Sequence, residues 1–272
     1  MSEDKNDVVL FERKGKNGIV GVLTLNRPEV LNAIDFRVGD LILEKLVEVR
    51  RDDTIRALVI TGNGRAFSSG GDVGAMKQSC NEGKPAIFMH NLIHMLNQIV
   101  SELRDIRKPI IASIPGVTSG GGLDLALACD IRICSNYGKF KAAYTGIGLI
   151  PAGGGSFLLS SVIGPAQALE FFLMNDMISA DEALRLGLVN KIVPSENLMD
   201  YVMNLAEELA SGATKAYGNT KYLLNEFIGG KGIEHHLTKE ATIQADILVE
   251  TDDFKEGIRA FLEHRKPQFR GK

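Results

Sequence analysis

The chain has no tryptophan, three cysteines and eight prolines in 272 residues, and aromatic residues make up only 6% of it. Each shortage excludes something. Cys80, Cys129 and Cys134 are odd in number and show no C-x-x-C spacing, so a disulfide framework and a zinc site are not expected. No apolar run is long enough to span a bilayer. The opening stretch, M-S-E-D-K-N-D-V-V, is polar and acidic and lacks the basic and apolar parts of a signal peptide. Net charge is only −3, so no broad positive field gathers nucleic acid. A cytoplasmic protein without nucleic-acid or membrane partners is the expectation. One further absence is local: no Asp or Glu stands between Asp130 and Glu170.

What the chain does have is an alternation of short apolar runs and helical patterns. Val8–Phe11 and Ile19–Leu25 flank a turn at Gly15–Gly18 and read as a hairpin. Val38, Leu41, Ile42, Leu46 and Val49 recur at helical spacing. I-R-A-L-V-I-T-G (from Ile55), K-P-I-I-A-S-I-P-G (from Lys108) and D-I-R-I-C-S (from Asp130) read as buried strands, and residues 86–106 as a long amphipathic helix. Strands that alternate with helices predict an α/β fold with a mostly parallel sheet. After Gly164 the pattern is all helix, with an S-x-x-E capping box at Ser179 and Glu182. The expected division is an α/β core over residues 1–194 and a helical segment over 195–272.

Two junctions echo each other. A-L-V-I-T-G-N-G-R-A-F-S-S-G-G-D ends at Asp72, and P-I-I-A-S-I-P-G-V-T-S-G-G-G-L-D ends at Asp124. Each is a strand, a loop and a glycine-rich turn that opens a helix. Such turns serve tight strand–helix packing, or they aim free helix N-terminal amides at one oxygen, as an oxyanion hole does. Neither fits a nucleotide phosphate-loop pattern.

At these residues the chain resembles the enoyl-CoA hydratase/isomerase family, the crotonase superfamily. The likeness runs from L-T-L-N-R-P-E-V-L-N-A-I-D (Leu23–Asp35) through both glycine junctions, G-I-G-L-I-P-A-G-G-G and I-S-A-D-E-A-L-R-L-G-L-V-N-K-I-V-P to F-L-E-H-R-K-P-Q-F. It implies a crotonase-like spiral of ββα units with a C-terminal helical segment that joins subunits as a homotrimer or hexamer. It implies an acyl-CoA thioester substrate and no separate cofactor, coenzyme A being part of the substrate. Gly71 and Gly121 would donate their amides to the thioester oxygen. The CoA moiety would lie along Ala66–Val73, at Ala66, Ser69, Asp72 and Val73. Arg27, Arg265 and Lys266 would meet its phosphates.

The pattern also departs from the family. Asp124 stands two residues after the glycine triplet, where hydratases carry Glu. The second acid of hydratases falls at Tyr144, and that of several isomerases at Ala152. Neither is acidic here. Syn hydration needs one group to activate water and another to protonate carbon. A single carboxylate suffices to shuttle a proton in an isomerisation, or to act as a base in hydrolysis. Asp124, Gly71, Gly121 and Tyr144 are therefore the candidate catalytic residues. Tyr144 either donates a hydrogen bond or closes the pocket. Hydrolysis of a thioester or of a C–C bond, and acyl-CoA binding without turnover, are the alternatives. His90 and His94 have i, i+4 spacing but lack the H-E-x-x-H pattern, so no metal is assigned to them.

Overall fold

The computed structural model describes residues 8–272, without the side chain of Asp246. The polar start read above lies in part outside them. The hairpin forms as expected. Strands β1 (Val9–Lys14) and β2 (Val20–Leu25) pair antiparallel with Val9 opposite Leu25. The three long apolar runs become β3 (Ala57–Gly62), β5 (Ile110–Ile114) and β7 (Ile131–Ser135). With β10 (Lys191–Val193) they complete a six-stranded sheet ordered β1-β2-β3-β5-β7-β10, parallel from β2 onward.

Sequence reading placed only loops between each long strand and the next helix. The structure places three short strands there, which join a fourth ahead of a later helix in a second sheet ordered β4-β6-β8-β9. Its strands are β4 (Ala66–Ser68), β6 (Val117–Ser119), β8 (Lys139–Lys141) and β9 (Ile178–Ser179). Two or three residues are too few to show a period of two, so these strands left no pattern to read. The repeating unit is a long strand, a short strand and a helix. Three turns of it give the expected spiral, with β4 and β6 side by side and parallel. The two glycine junctions therefore meet.

Helix α1 (Phe36–Arg51) opens on Asp35, which accepts from the Val38 amide at 2.9 Å. It packs beside α3 (Pro85–Asp105) over one face of the large sheet. Strand residues alternate as a pleat requires. Leu23, Leu25, Leu58 and Ile60 join the core under α1 and α3, while Val20, Val22, Ala57 and Val59 face the other way. There they meet Leu198, Val202, Ala206 and Ala210 of α8 (Leu198–Ala210). Beyond residue 194, where the division was expected, the described elements are all helices. By packing, α8 belongs with the sheet.

Helices α2 (Val73–Asn81) and α4 (Gly121–Ala128) follow the two junctions. Beyond β8 come α5 (Gly155–Ile163), α6 (Pro165–Met174) and α7 (Ala180–Arg185). The capping box is half formed. Ser179 accepts from the Glu182 amide, but the Glu182 carboxylate turns to Arg185 at 2.6 Å. The last helices are α9 (Thr214–Ile228), α10 (Ile233–Ile243) and α11 (Asp252–Leu262), with a π-helical turn at Gln244–Leu248. Lys221 ties α9 to the core by donating to Asp130 (3.0 Å) and to the Leu103 carbonyl (2.9 Å). Leu224, Phe227, Ile233, Leu237, Phe254 and Phe261 stay exposed. No helix among the described residues is long and apolar enough to cross a membrane.

Candidate active site

The glycine triplet divides into three tasks. Gly120 has φ +51° and ψ −130°, a conformation open to glycine and strained for other residues. Gly122 packs on β4 so closely that a Cβ would lie 2.4 Å from the Ser68 carbonyl oxygen. Gly121 opens α4, so its amide has no partner within the helix. On the other junction the Gly70 carbonyl and the Asp72 amide bond to Ile34, and the Gly71 amide between them is left over. Among the described residues neither the Gly71 nor the Gly121 amide donates to a protein acceptor. The two are neighbours: a Cβ on Gly121 would lie 3.7 Å from the Gly71 nitrogen.

Both glycines line one cavity of about 100 Å³. Its walls are Ile34, Met76 and Leu149–Ile150, with Met89, Leu92 and Met95 from α3. Leu92 and Met95 thus serve both core and cavity. Phe88 sits apart, edge-on to Phe36. Tyr144 brings the one polar side chain among the described residues that line the cavity.

Asp124 lies one helical turn after Gly121, on the same face of α4. All eight residues of α4 are buried, and Asp124 is 1% exposed. It does not line the cavity. Tyr144 does, and its hydroxyl donates to Asp124 Oδ2. The backbone that carries Tyr144 is turned by Ala143, which has φ +65° and donates its amide to Asn175 Oδ1 at 2.8 Å. The far side of the carboxyl is closed by glycines of P-A-G-G-G. A Cβ on Gly155 would lie 2.2 Å from Asp124 Oδ1, and one on Gly153 would lie 3.4 Å from Asp124 Cβ. Burial pushes the Asp124 carboxyl up to about 8, and the Tyr144 bond opposes it only in part. Burial and then the neighbouring carboxyl push the Tyr144 phenol above its ordinary range.

The sequence profile described as enoyl-CoA hydratase/isomerase matches residues 15–272. A 1,2-epoxyphenylacetyl-CoA isomerase of Escherichia coli (strain K12) is 36% identical over 253 residues, covering 93% of this chain and 95% of that protein. The chain belongs to the enoyl-CoA hydratase/isomerase family. A crotonyl-CoA hydratase of Syntrophomonas wolfei is 34% identical, with 96% and 97% covered. The crystal structure of an enoyl-CoA hydratase from Polaromonas sp. JS666 superposes with a TM-score of 0.89 at 30% identity, covering 96% of this chain and 99% of that one.

The site residues expected from this family fall in two groups. Gly71, Gly121, Tyr144 and, behind Tyr144, Asp124 come together at the cavity. Of the expected CoA-contacting residues, Ala66, Ser69, Asp72 and Val73 lie along the first junction and at the start of α2. The Ala66 carbonyl accepts from Asn32 (2.8 Å), and the Ser69 amide donates to Leu31 (2.9 Å). Asp72 caps α2 through the Ala75 amide, and Val73 is exposed beside it. Arg27 donates to the Ala33 carbonyl and pairs with Asp35 at 3.0 Å and Asp72 at 3.5 Å, so carboxylates already face its guanidinium. Lys266 is exposed next to Arg265, which Glu256 and Glu263 hold at 2.6 Å. Neither lines the cavity. His90 and His94 are exposed on α3.

Sequence reading passed over Asn32 and the glycines at 153–155. Asn32 is buried at φ +56° and donates to the Asn63 and Ala66 carbonyls while accepting from the Arg27 amide. It holds the loop that frames the first junction. A lone amide side chain between Leu31 and Ala33-Ile34 was the available signal.

Proposed function

We propose that this protein is an acyl-CoA enzyme of the isomerase type, which holds a thioester enolate on the Gly71 and Gly121 amides and moves a proton with one carboxylate. The observation that carries this reading is the pair of unengaged amides on an apolar cavity whose one polar side chain is bonded to a buried acid. Amides already aimed at a developing oxyanion need no reorganisation when charge arrives. The relatives include both isomerases and hydratases, so the residues decide between them. No acid lines the cavity among the described residues, none but Asp124 is bonded to its one polar side chain, and apolar walls leave little to hold and activate a water.

The exposed apolar side chains on α9–α11 support the self-association expected of the family, and Ala66–Val73 remains the proposed track for the CoA moiety. The deciding assay follows the conjugated thioester band. A 3-enoyl-CoA should gain the band, and a 2-enoyl-CoA should keep it. Loss of the band without thiol release would overturn the isomerase reading in favour of hydration, and thiol release would overturn it in favour of hydrolysis. No change with any ester that binds would mark a protein that binds without turnover.

A further inference from the structure

Asp124 does not reach the cavity except through another side chain. Its Oδ2 accepts the Tyr144 hydroxyl, and Tyr144, unlike Asp124, lines the cavity shared by Gly71 and Gly121. Gly155 closes the Oδ1 side. A substrate whose thioester oxygen rests on the two amides would therefore meet the phenol first. We propose that Tyr144 is the catalytic residue that touches the reacting carbon, and that Asp124 is the positioned proton store behind it. The proposal rests on the enolate reading above and specifies which group serves it.

The relay balances without any further reactant. The Tyr144 oxygen takes the proton from the carbon next to the thioester carbonyl, while its own proton passes to the Asp124 carboxylate. The C–H electron pair enters the dienolate, whose oxygen the amides hold. In the second half Tyr144 delivers a proton to the far carbon of the former double bond, and Asp124 returns its proton to the phenol oxygen. The electron pair closes the new, conjugated double bond, and both side chains are restored. A neutral phenol alone is a weak base, and a carboxyl alone is out of reach; the hydrogen-bonded pair supplies both properties. The relay starts from ionised Asp124. Tyr144 is the one titratable side chain that acts on this carboxyl. The glycines packed against it, Gly153 and Gly155, bring no charge.

The test is exchange of the α-protons of butyryl-CoA and phenylacetyl-CoA in D2O, followed by NMR, because exchange reports enolate formation before any particular product. The wild type should exchange at a rate that rises with pH through about 8. Tyr144→Phe should lower exchange about 100-fold or more at every pH, with the Kd for the CoA ester unchanged within about threefold, a shift of less than 1 kcal/mol. Asp124→Asn should abolish the rise with pH. Exchange by Tyr144→Phe as fast as the wild type, with the pH limb kept, would overturn the relay and give Asp124 direct contact. As a second variant, 3,5-difluorotyrosine at position 144 keeps the shape and makes the phenol more acidic. It should displace the pH limb; an unmoved limb would also overturn the relay. Absence of exchange by the wild type with esters that it binds would overturn the enolate reading itself, before any variant is compared.

Discussion

The two glycine junctions start from nearly the same sequence and give their acids opposite lives. In S-G-G-D the acid follows the second glycine directly, so Asp72 lands at the N-cap of α2. It is partly exposed, bonded to the Ala75 amide and paired with Arg27. In S-G-G-G-L-D one more glycine and a leucine intervene. Asp124 therefore lands inside α4, is buried, and faces a phenol, with no cation beside it among the described residues. Two inserted residues convert a capping acid into a proton-holding one. The glycines themselves are common ground: each junction leaves one amide unspent, and the two amides adjoin.

Four outcomes break or sharpen this contrast. The largest is catalytic: Asp124→Asn should lower isomerisation of a 3-enoyl-CoA about 100-fold or more, while the Kd for the ester stays close to that of the wild type. Equal turnover would end the distinction between the two acids. Next comes pH-dependent stability. Asp124 holds its proton up to about 8 when folded and only to the ordinary 3.8 when unfolded. Its favourable contribution is thus complete below about pH 4 and is lost as pH rises through about 8. Denaturant titrations between about pH 5 and 9 should show the wild type losing on the order of a few kcal/mol relative to Asp124→Asn. A difference that stays flat over that range contradicts the buried, protonated acid.

The third outcome separates the glycines of the triplet. Gly122→Ala drives a methyl to 2.4 Å from the Ser68 carbonyl, where only backbone movement relieves it, and should cost roughly 3 kcal/mol in unfolding free energy. Gly121→Ala meets the end of Leu96 at 3.1 Å, which gives way more easily, and sets the methyl beside the Gly71 amide. It should fold, and its turnover should fall about tenfold. If the two variants are equally stable, the division of labour within the triplet is wrong. The smallest effect belongs to the other acid. Asp72→Ala removes a helix cap and an ion pair, about 1 kcal/mol by chemical denaturation, and turnover of bound ester should change much less than in Asp124→Asn.

The long strands, the amphipathic helices and the family could be read because each rests on many residues with a period or an ordered set of motifs. Gly71 and Gly121 were legible for the same reason, since both sit in the glycine junctions that echo each other. The small sheet was not, because a three-residue strand such as β6 has no measurable period. The Tyr144–Asp124 contact was only half legible. Sequence showed that the usual second acid is replaced by a tyrosine; it did not show that this tyrosine stands in front of the first acid. That depends on the turn at Ala143 and on the glycines at 153 and 155, which make room for the carboxyl. Arg27 looked free as a string of letters, and only folding brought Asp35 and Asp72 to it.

Helix α4 is buried along its whole length, packed against α3, α5 and the strands β4 and β6. Local opening needs exposed, loosely packed backbone, and α4 offers none. Its amides should therefore be among the slowest in the protein to exchange with solvent, released only when the whole core opens. The acid is thus mounted on a part of the molecule that cannot fluctuate separately. The cavity wall from Leu149 to Ala152 has no such anchor, and Ile150 stands 82% exposed on it. Change in that segment can reshape the cavity while the buried carboxyl keeps its place.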